Sequence, residues 1–522
     1  MDRVGGGGGR RPRRATPVIL ALAMVSGACA PTAGRVGSPR VSAPGTTTSS
    51  STTTSSTTTT TAVVEPPVTP MVWTPCGTLQ CGTVAVPLDY AQPQLGTIQI
   101  ALAMHRATDP AARIGSLVID PGGPGGSGVN DLPAELGVLT SALLARFDIV
   151  EFDPRGVQRS SPVVCSAGTS ATTSSTPGPF PDPVPSTTSA QLALLANDEE
   201  YANQCESLSG KLLPFVGTVD AARDLDRIRQ ALGDAQLTYF GHSYGTLLGA
   251  TYAQMFPTKV RAMVLDGAID PAMTTQQMVD EQSQGFESVL DDFLAWCTSS
   301  GCPWRPAGGA STTALLALIA QSRSQALAAG AGPSVGPGAI YYAVLSALYA
   351  RNYWPNLARA LAQAAAGNGA GVLSMADSYV TGGSTNAVDA ETSIDCLDHP
   401  VARGSGGIPA LAAQAAVNAP FFGPLLAWGE AACAVWPVPA TRTPEATTAV
   451  GSPPILVVGA TKDPATPYVW AQRLAAELQH GELVTWQGEN HVAYYYSGCV
   501  RALDQAYFVA GTLPAPGTVC SD

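Results

Sequence analysis

Charge is scarce in this chain of 522 residues. Asp, Glu, Lys and Arg together make up 13% of it, and 39 acidic side chains face 27 basic ones. A formal net charge of -12 repels phosphate backbones, and five of the basic residues fall within the first 14 positions. No basic stripe remains to override that repulsion, which excludes nucleic-acid binding. Long apolar runs are missing as well: the segment 18–25 is too short to cross a bilayer. Histidine is rarer still, with five in the chain, which leaves few candidates for proton transfer by imidazole. Apolar residues are plentiful at 45%, enough for a sizeable core. The length permits a large α/β domain carrying an insertion.

Arg10, Arg11, Arg13 and Arg14 precede the apolar segment, and Ser26-Gly27-Ala28-Cys29 follows it. A basic start, a short apolar stretch and small residues read as an export signal over residues 1–28. Gly27-Ala28-Cys29 resembles a bacterial lipobox, with Cys29 lipidated and the protein anchored to the outer face of the cytoplasmic membrane. Ser26 stands where a larger aliphatic residue is usual, and plain secretion after cleavage near Ala28 or Ala30 is the rival reading. Residues 29–70 include the Ser/Thr run 46–61; they cannot bury enough surface to fold and read as a disordered tether. Setting Cys29 aside leaves ten cysteines, an even set that in an exported chain implies up to five disulfides. Order along the chain suggests Cys76–Cys81, Cys165–Cys205, Cys297–Cys302, Cys396–Cys433 and Cys499–Cys520, although order alone does not fix connectivity.

The runs 82–90 and 96–104 alternate in type across a Pro/Gln/Gly turn and read as an edge hairpin. Buried strands follow at 116–120 and 147–153, with a helical crossover between them. The first of these runs into Pro121-Gly122-Gly123-Pro124-Gly125-Gly126-Ser127-Gly128, whose five glycines leave bare backbone N–H groups at a strand end. Asp153-Pro154-Arg155-Gly156 follows the second; Arg155 is a candidate for a substrate carboxylate or for a salt bridge between loops. Residues 166–190 are again rich in Ser, Thr and Pro and read as a surface excursion.

A further apolar run, Leu237-Thr238-Tyr239-Phe240, ends in Gly241-His242-Ser243-Tyr244-Gly245, and a helical pattern starts at once. Gly-x-Ser-x-Gly between a strand and a helix is the nucleophile elbow of an α/β-hydrolase, in which Ser243 projects above the sheet from a strained turn. Such a site needs two N–H donors for a developing oxyanion. Gly123 in the glycine-rich turn and Tyr244 after the nucleophile are the candidates. From 272 to 440 strand-like runs give way to Ala/Leu-rich helical segments, a mostly helical cap inserted in the catalytic domain. The sheet resumes at 454–460, and Asp463 follows directly. His491 follows the last strand, near 483–486. Of the other histidines, His105 lies in the hairpin, His242 inside the elbow, His399 in the cap and His480 at a helix end. Only His491 combines the order Ser, acid, base with a strand-end position, giving Ser243 as nucleophile, His491 as general base and acid, and Asp463 as its orienting partner. No cofactor and no metal enter this reading.

Taken together, Val86-Pro87-Leu88-Asp89-Tyr90, the glycine-rich run 121–128, Asp153-Pro154-Arg155-Gly156, Asp224-Leu225-Asp226, the elbow, Leu265-Asp266-Gly267, Asp463-Pro464-Ala465-Thr466-Pro467 and the loop 488–491 carry a resemblance. Over about residues 73–522 the chain resembles the actinobacterial secreted or lipid-anchored α/β-hydrolases of the tripeptidyl aminopeptidase type, with their TAP-like C-terminal region. Asp120 stands where that family often has Asn, and Gln158 where Gly is common. The resemblance implies a serine exopeptidase that removes di- or tripeptides, or proline-containing residues, from free N-termini through an acyl-enzyme. It implies the same triad and oxyanion loop. The expected organisation is a core over 71–271 and 441–522 with the cap at 272–440. A carboxylesterase or lipase acting on cell-envelope or exogenous esters is the alternative, because identical machinery cleaves esters. A catalytically silent binding lipoprotein is a third reading, and the complete triad opposes it. An exopeptidase needs a counter-charge for the substrate ammonium. The cap cluster Glu391, Asp395 and Asp398, steadied by a disulfide at Cys396, is the expected source, with Asp395 and Asp398 ranked ahead of Glu391.

Overall fold

The computed structural model describes residues 67–166, 180–330, 334–380 and 384–522. The export segment, Cys29, nearly all of the 29–70 tether and much of the 166–190 stretch lie outside the described residues.

Ten strands among the described residues form one sheet: β1 (Thr74–Cys76), β2 (Leu79–Pro87), β3 (Thr97–His105), β4 (Gly115–Asp120), β5 (Phe147–Phe152), β6 (Leu237–His242), β7 (Val260–Asp266), β8 (Ile455–Ala460), β9 (Gly481–Trp486) and β10 (Val519–Cys520). Their order is β1-β2-β3-β5-β4-β6-β7-β8-β9-β10. The first three strands and β5 pair antiparallel, and every pair from β5–β4 onward is parallel. The central strands are apolar on both faces, and side-chain alternation sends their residues into two separate cores. In β4, Val118 joins one core while Leu117 and Ile119 join the other; in β8, Ile455 and Val457 part from Leu456 and Val458 in the same way.

Helices α1 (Gly128–Glu135) and α2 (Ser141–Arg146) supply the crossover from β4 to β5 and help cover one face. On the other face lie α4 (Thr218–Leu232) and α5 (Tyr244–Met255), while α3 (Thr188–Ser209) packs toward the cap. Gly233, at φ 79°, closes α4 in the left-handed conformation that glycine accepts without strain.

Between the adjacent strands β7 and β8 the chain leaves the sheet and builds the cap. Its first helix, α6 (Thr275–Ser300), starts at a capping box made by Thr274 and Gln277 and stops at Gly301 in the left-handed region. Further helices follow as far as Ala431–Ala434, and the cap has its own apolar core, in which Phe286, Trp354 and Phe422 are buried. Disulfides join Cys76 to Cys81, Cys165 to Cys205, Cys297 to Cys302, Cys396 to Cys433 and Cys499 to Cys520.

Candidate active site

The sheet register brings the end of β6 between two acidic strand ends: Gly241 lies opposite Asp120 of β4, and His242 lies opposite Asp266 of β7. Ser243 comes next with φ 54° and ψ −121°, a left-handed conformation costly for a residue with a side chain. The two elbow glycines explain how the turn is possible. A Cβ at Gly241 would sit 2.4 Å from the Gly245 carbonyl oxygen, and one at Gly245 would sit 2.6 Å from that of Asp120. The turn is clamped from both sides: Ser243 N–H donates to the Asp266 carbonyl at 3.0 Å, and the Thr246 hydroxyl donates to the Ser243 carbonyl at 2.6 Å.

Asp463 follows β8, and its Oδ1 accepts the N–H groups of Ala465 and Thr466 at 3.0 and 2.8 Å. Both of its oxygens lie 2.9 Å from His491 Nδ1. That arrangement suits a ring proton on Nδ1 and leaves Nε2 buried and without a hydrogen-bond partner among the described residues. Thr466 Oγ1 also lies 3.3 Å from His491 Nδ1. The imidazole has neighbours on several sides. The Tyr349 ring meets it edge to face with centroids 5.4 Å apart, and a Cβ on Gly267, the residue after β7, would lie 3.1 Å from its Cε1. The next turn is fixed to the sheet, since Asp266 accepts the N–H groups of Ala493 and Tyr494 at 3.0 and 2.7 Å. His242 has a different office. It is fully buried, its Nδ1 meets the Tyr495 hydroxyl at 2.9 Å, and burial pushes its pKa down to about 3, so it stays neutral.

The glycine-rich turn lies flat on the elbow. A Cβ on Gly122 would be 2.5 Å from the His242 carbonyl and 3.1 Å from both Ser243 Cβ and Tyr244 N. Gly122 N–H donates to Asp120 Oδ1 at 2.8 Å, so it is engaged. Burial pushes the Asp120 carboxyl up to about 7, with the Gly122 bond opposing. The N–H groups of Gly123 and Tyr244 make no backbone hydrogen bond of that kind among the described residues. The turn, the strained serine and the Asp463–His491 pair thus converge at one edge of the sheet.

Residues 419–520 match the family model described as TAP-like protein. The serine protease Hip1 of Mycobacterium tuberculosis is 34% identical over 485 residues, covering 86% of this chain and 91% of that protein. This chain belongs to the TAP-like serine hydrolases. Carboxylesterase B of M. tuberculosis is 33% identical over 462 residues, with 85% and 86% covered. The tripeptidyl aminopeptidase of Streptomyces lividans is 30% identical over 465 residues, with 86% and 85% covered.

In this TAP-like hydrolase the cap helix Ala387–Asp398 rests directly on the glycine-rich turn. A Cβ on Gly125 would be 2.7 Å from the Ala387 carbonyl and 3.0 Å from Glu391 N. The three carboxylates expected to act together have different surroundings. Asp398 is not available to a substrate: it is fully buried, accepts Thr218 N–H at 3.0 Å and is bonded to the Thr218 hydroxyl at the start of α4. Its high rank is therefore corrected, because its oxygens serve the helix terminus. Glu391 is buried against the glycine-rich turn, near Tyr342 and Tyr349, and helps disfavour their ionisation. Asp395 keeps 31% of its side chain open to solvent, although protein surrounds it; its nearest basic group is His399 Nε2 at 4.0 Å. Burial and Arg442 push His399 down to about 3, so that imidazole is neutral. Burial, then the neighbouring Glu430 and Asp398, holds the Asp395 carboxyl well above its ordinary pKa. Glu430, which the sequence did not single out, is pushed up to about 7 by burial. Glu430 thus lies near enough to Asp395 to oppose its ionisation.

Arg155 takes the structural of its two candidate roles. It is fully buried and donates to Asp224 Oδ2 and Oδ1 at 2.7 and 2.6 Å. The rest of the guanidinium donates to the carbonyls of Leu88, Phe215 and Pro87. Every N–H it owns is used, and none is left for a substrate.

Proposed function

We propose that this serine hydrolase removes short peptides from free N-termini through an acyl-enzyme. Ser243 Oγ attacks the scissile carbonyl carbon while His491 Nε2 takes the hydroxyl proton. The carbonyl oxygen becomes an oxyanion held by the N–H groups of Gly123 and Tyr244. Collapse of that intermediate breaks the C–N bond, and His491 passes its proton to the departing amine. Water then enters, gives its proton to His491 and attacks the ester carbonyl; Ser243 leaves with the proton returned. Asp463 holds Nδ1–H in place and offsets the imidazolium charge in both halves.

The observation that carries the peptide reading is the Asp395–Glu430 pair. Two neighbouring half-buried carboxylates disfavour each other's ionisation, and an ammonium placed between them offsets that repulsion while its charge pairing opposes the cost of its own desolvation. A neutral ester gains nothing from such a pair. The test is turnover of matched chromogenic peptides with free and acetylated N-termini, beside a short-chain ester. Strong preference for the free amine supports the proposal; equal turnover of both peptides, with the ester faster than either, favours the esterase reading. We also propose that Cys29 is lipidated and anchors the chain at the cell envelope. Mass analysis of the N-terminal peptide from the native host checks this, and an unmodified Cys29 or cleavage near Ala30 counts against it.

A further inference from the structure

A second polar cluster lies on the face of the sheet behind the elbow. Asp131 and Glu135 are four residues apart on α1 and therefore share a helix face. Gly128 lets that helix press onto β5: a Cβ there would be 2.5 Å from the Phe152 carbonyl and 3.1 Å from Glu151 Cβ. The close approach aims Glu151 of β5 at the pair, and oxygens from all three residues lie within 4.8 Å of one another. Glu151 is fully buried and neither of its oxygens has a hydrogen-bond partner among the described residues. Glu135 Oε1 and Asp131 Oδ2 are unpartnered too, while Glu135 Oε2 accepts the Tyr495 hydroxyl at 3.1 Å. Arg159, the basic side chain on the adjoining loop, is engaged by Asp153 and Asn130 instead.

We infer that Asp131, Glu135 and Glu151 bind a structural Ca2+ ion. Carboxylate oxygens from three residues that converge beside the fully buried Glu151 match a hard, oxygen-seeking cation. With their remaining oxygens and water entering past the half-buried Asp131, the three carboxylates can reach the 6–8 oxygens that Ca2+ takes in flexible geometry, whereas Mg2+ demands a near-ideal octahedron. Asp131, the half-buried member, marks the route of entry. The ion neutralises three carboxylates that the fold brings together. It also ties α1, the helix leaving the glycine-rich turn, to β5. Through Glu135 and Tyr495 it supports the turn beyond His491.

The test is equilibrium binding of Ca2+ alone to chelator-stripped protein, with thermal melts in excess Ca2+ and in excess chelator. One ion per chain is expected, with Tm about 3 °C or more higher when Ca2+ is present at 100 times its Kd. Asp131→Asn should weaken binding at least tenfold and Glu151→Gln should abolish it. Glu200→Gln on the exposed side of α3 should leave it unchanged. If Glu151→Gln fails to fold, Asp131→Asn decides. No uptake at 5 mM Ca2+ with identical melts overturns the assignment in favour of protonated carboxyls, and uptake undiminished in Asp131→Asn overturns it by placing the ion elsewhere.

Discussion

Replacing Asp395 by Asn, or Glu430 by Gln, removes one half of the pair proposed to receive the substrate ammonium. A hydrogen bond to a charged group is worth about 1.5–3 kcal/mol, so kcat/KM for a free-amine peptide should fall by roughly 10- to 150-fold. The contact exists before and during reaction, so most of the loss belongs in KM. A small neutral ester has no ammonium and should react at nearly the wild-type rate. A pH signature follows from the same geometry. Glu430 is held up to about 7 and Asp395 well above its ordinary value, so the pair takes up protons and loses counter-charge as pH falls. Peptide kcat/KM should therefore rise through about pH 7 relative to ester kcat/KM, and the rise should shrink in Glu430→Gln. The assay is the peptide-to-ester ratio of kcat/KM for wild type and both variants from pH 5 to 9. If both substrates fall together, or the ratio stays flat, the pair is structural and the reasoning fails.

Ser243→Ala should abolish turnover of peptides and esters alike while the melting curve is unchanged; residual esterase activity in the purified variant would assign the nucleophile elsewhere. Asp120→Asn bears on stability. A carboxyl whose folded pKa lies near 7, against about 3.9 unfolded, binds its proton more tightly in the fold, so its contribution is lost as pH rises from about 4 to 7. The variant should melt higher relative to wild type at pH 8 than at pH 4, by an amount worth a few kcal/mol at most, and a pH-independent difference rejects this. Arg155→Ala leaves Asp224 buried and unpaired, and denaturant melts should show a loss of about 3–5 kcal/mol; a loss under about 1 kcal/mol would mean that the loops do not depend on it.

The fold was legible where the physics is local. The runs that become β4, β6 and β8 are apolar, short and bounded by glycine or proline, and both Gly241 and Gly245 are demanded by a turn within one pentapeptide. Chain order and strand ends were enough to single out Asp463 and His491 as a pair. What stayed hidden depends on distant segments meeting. Thr218 captures Asp398 across 180 residues, and nothing in the run 391–398 distinguishes a carboxylate that ties a helix end from one that faces a cavity. Glu430 ends a short cap helix with no motif around it. Glu151 sits inside an apolar strand, where its acidity reads as an irregularity until α1 is brought against it.

The contact between Gly125 and the helix Ala387–Asp398 has a consequence for how substrate arrives. That edge of the cap is fastened further by Asn386, whose amide donates to the carbonyls of Gly156 and Val163 and whose Oδ1 accepts Gln158 N–H. The opposite edge is fastened as well: His491 N–H donates to the Tyr349 carbonyl, and Arg351 N–H to Asn490 Oδ1. The cap is thus fastened on one side beside the glycine-rich turn and on the other to the loop that carries His491, so lifting it breaks bonds to the segments that hold the proposed catalytic atoms. Such fastening makes the cap a fixed cover in the proposed reaction and not a closing lid.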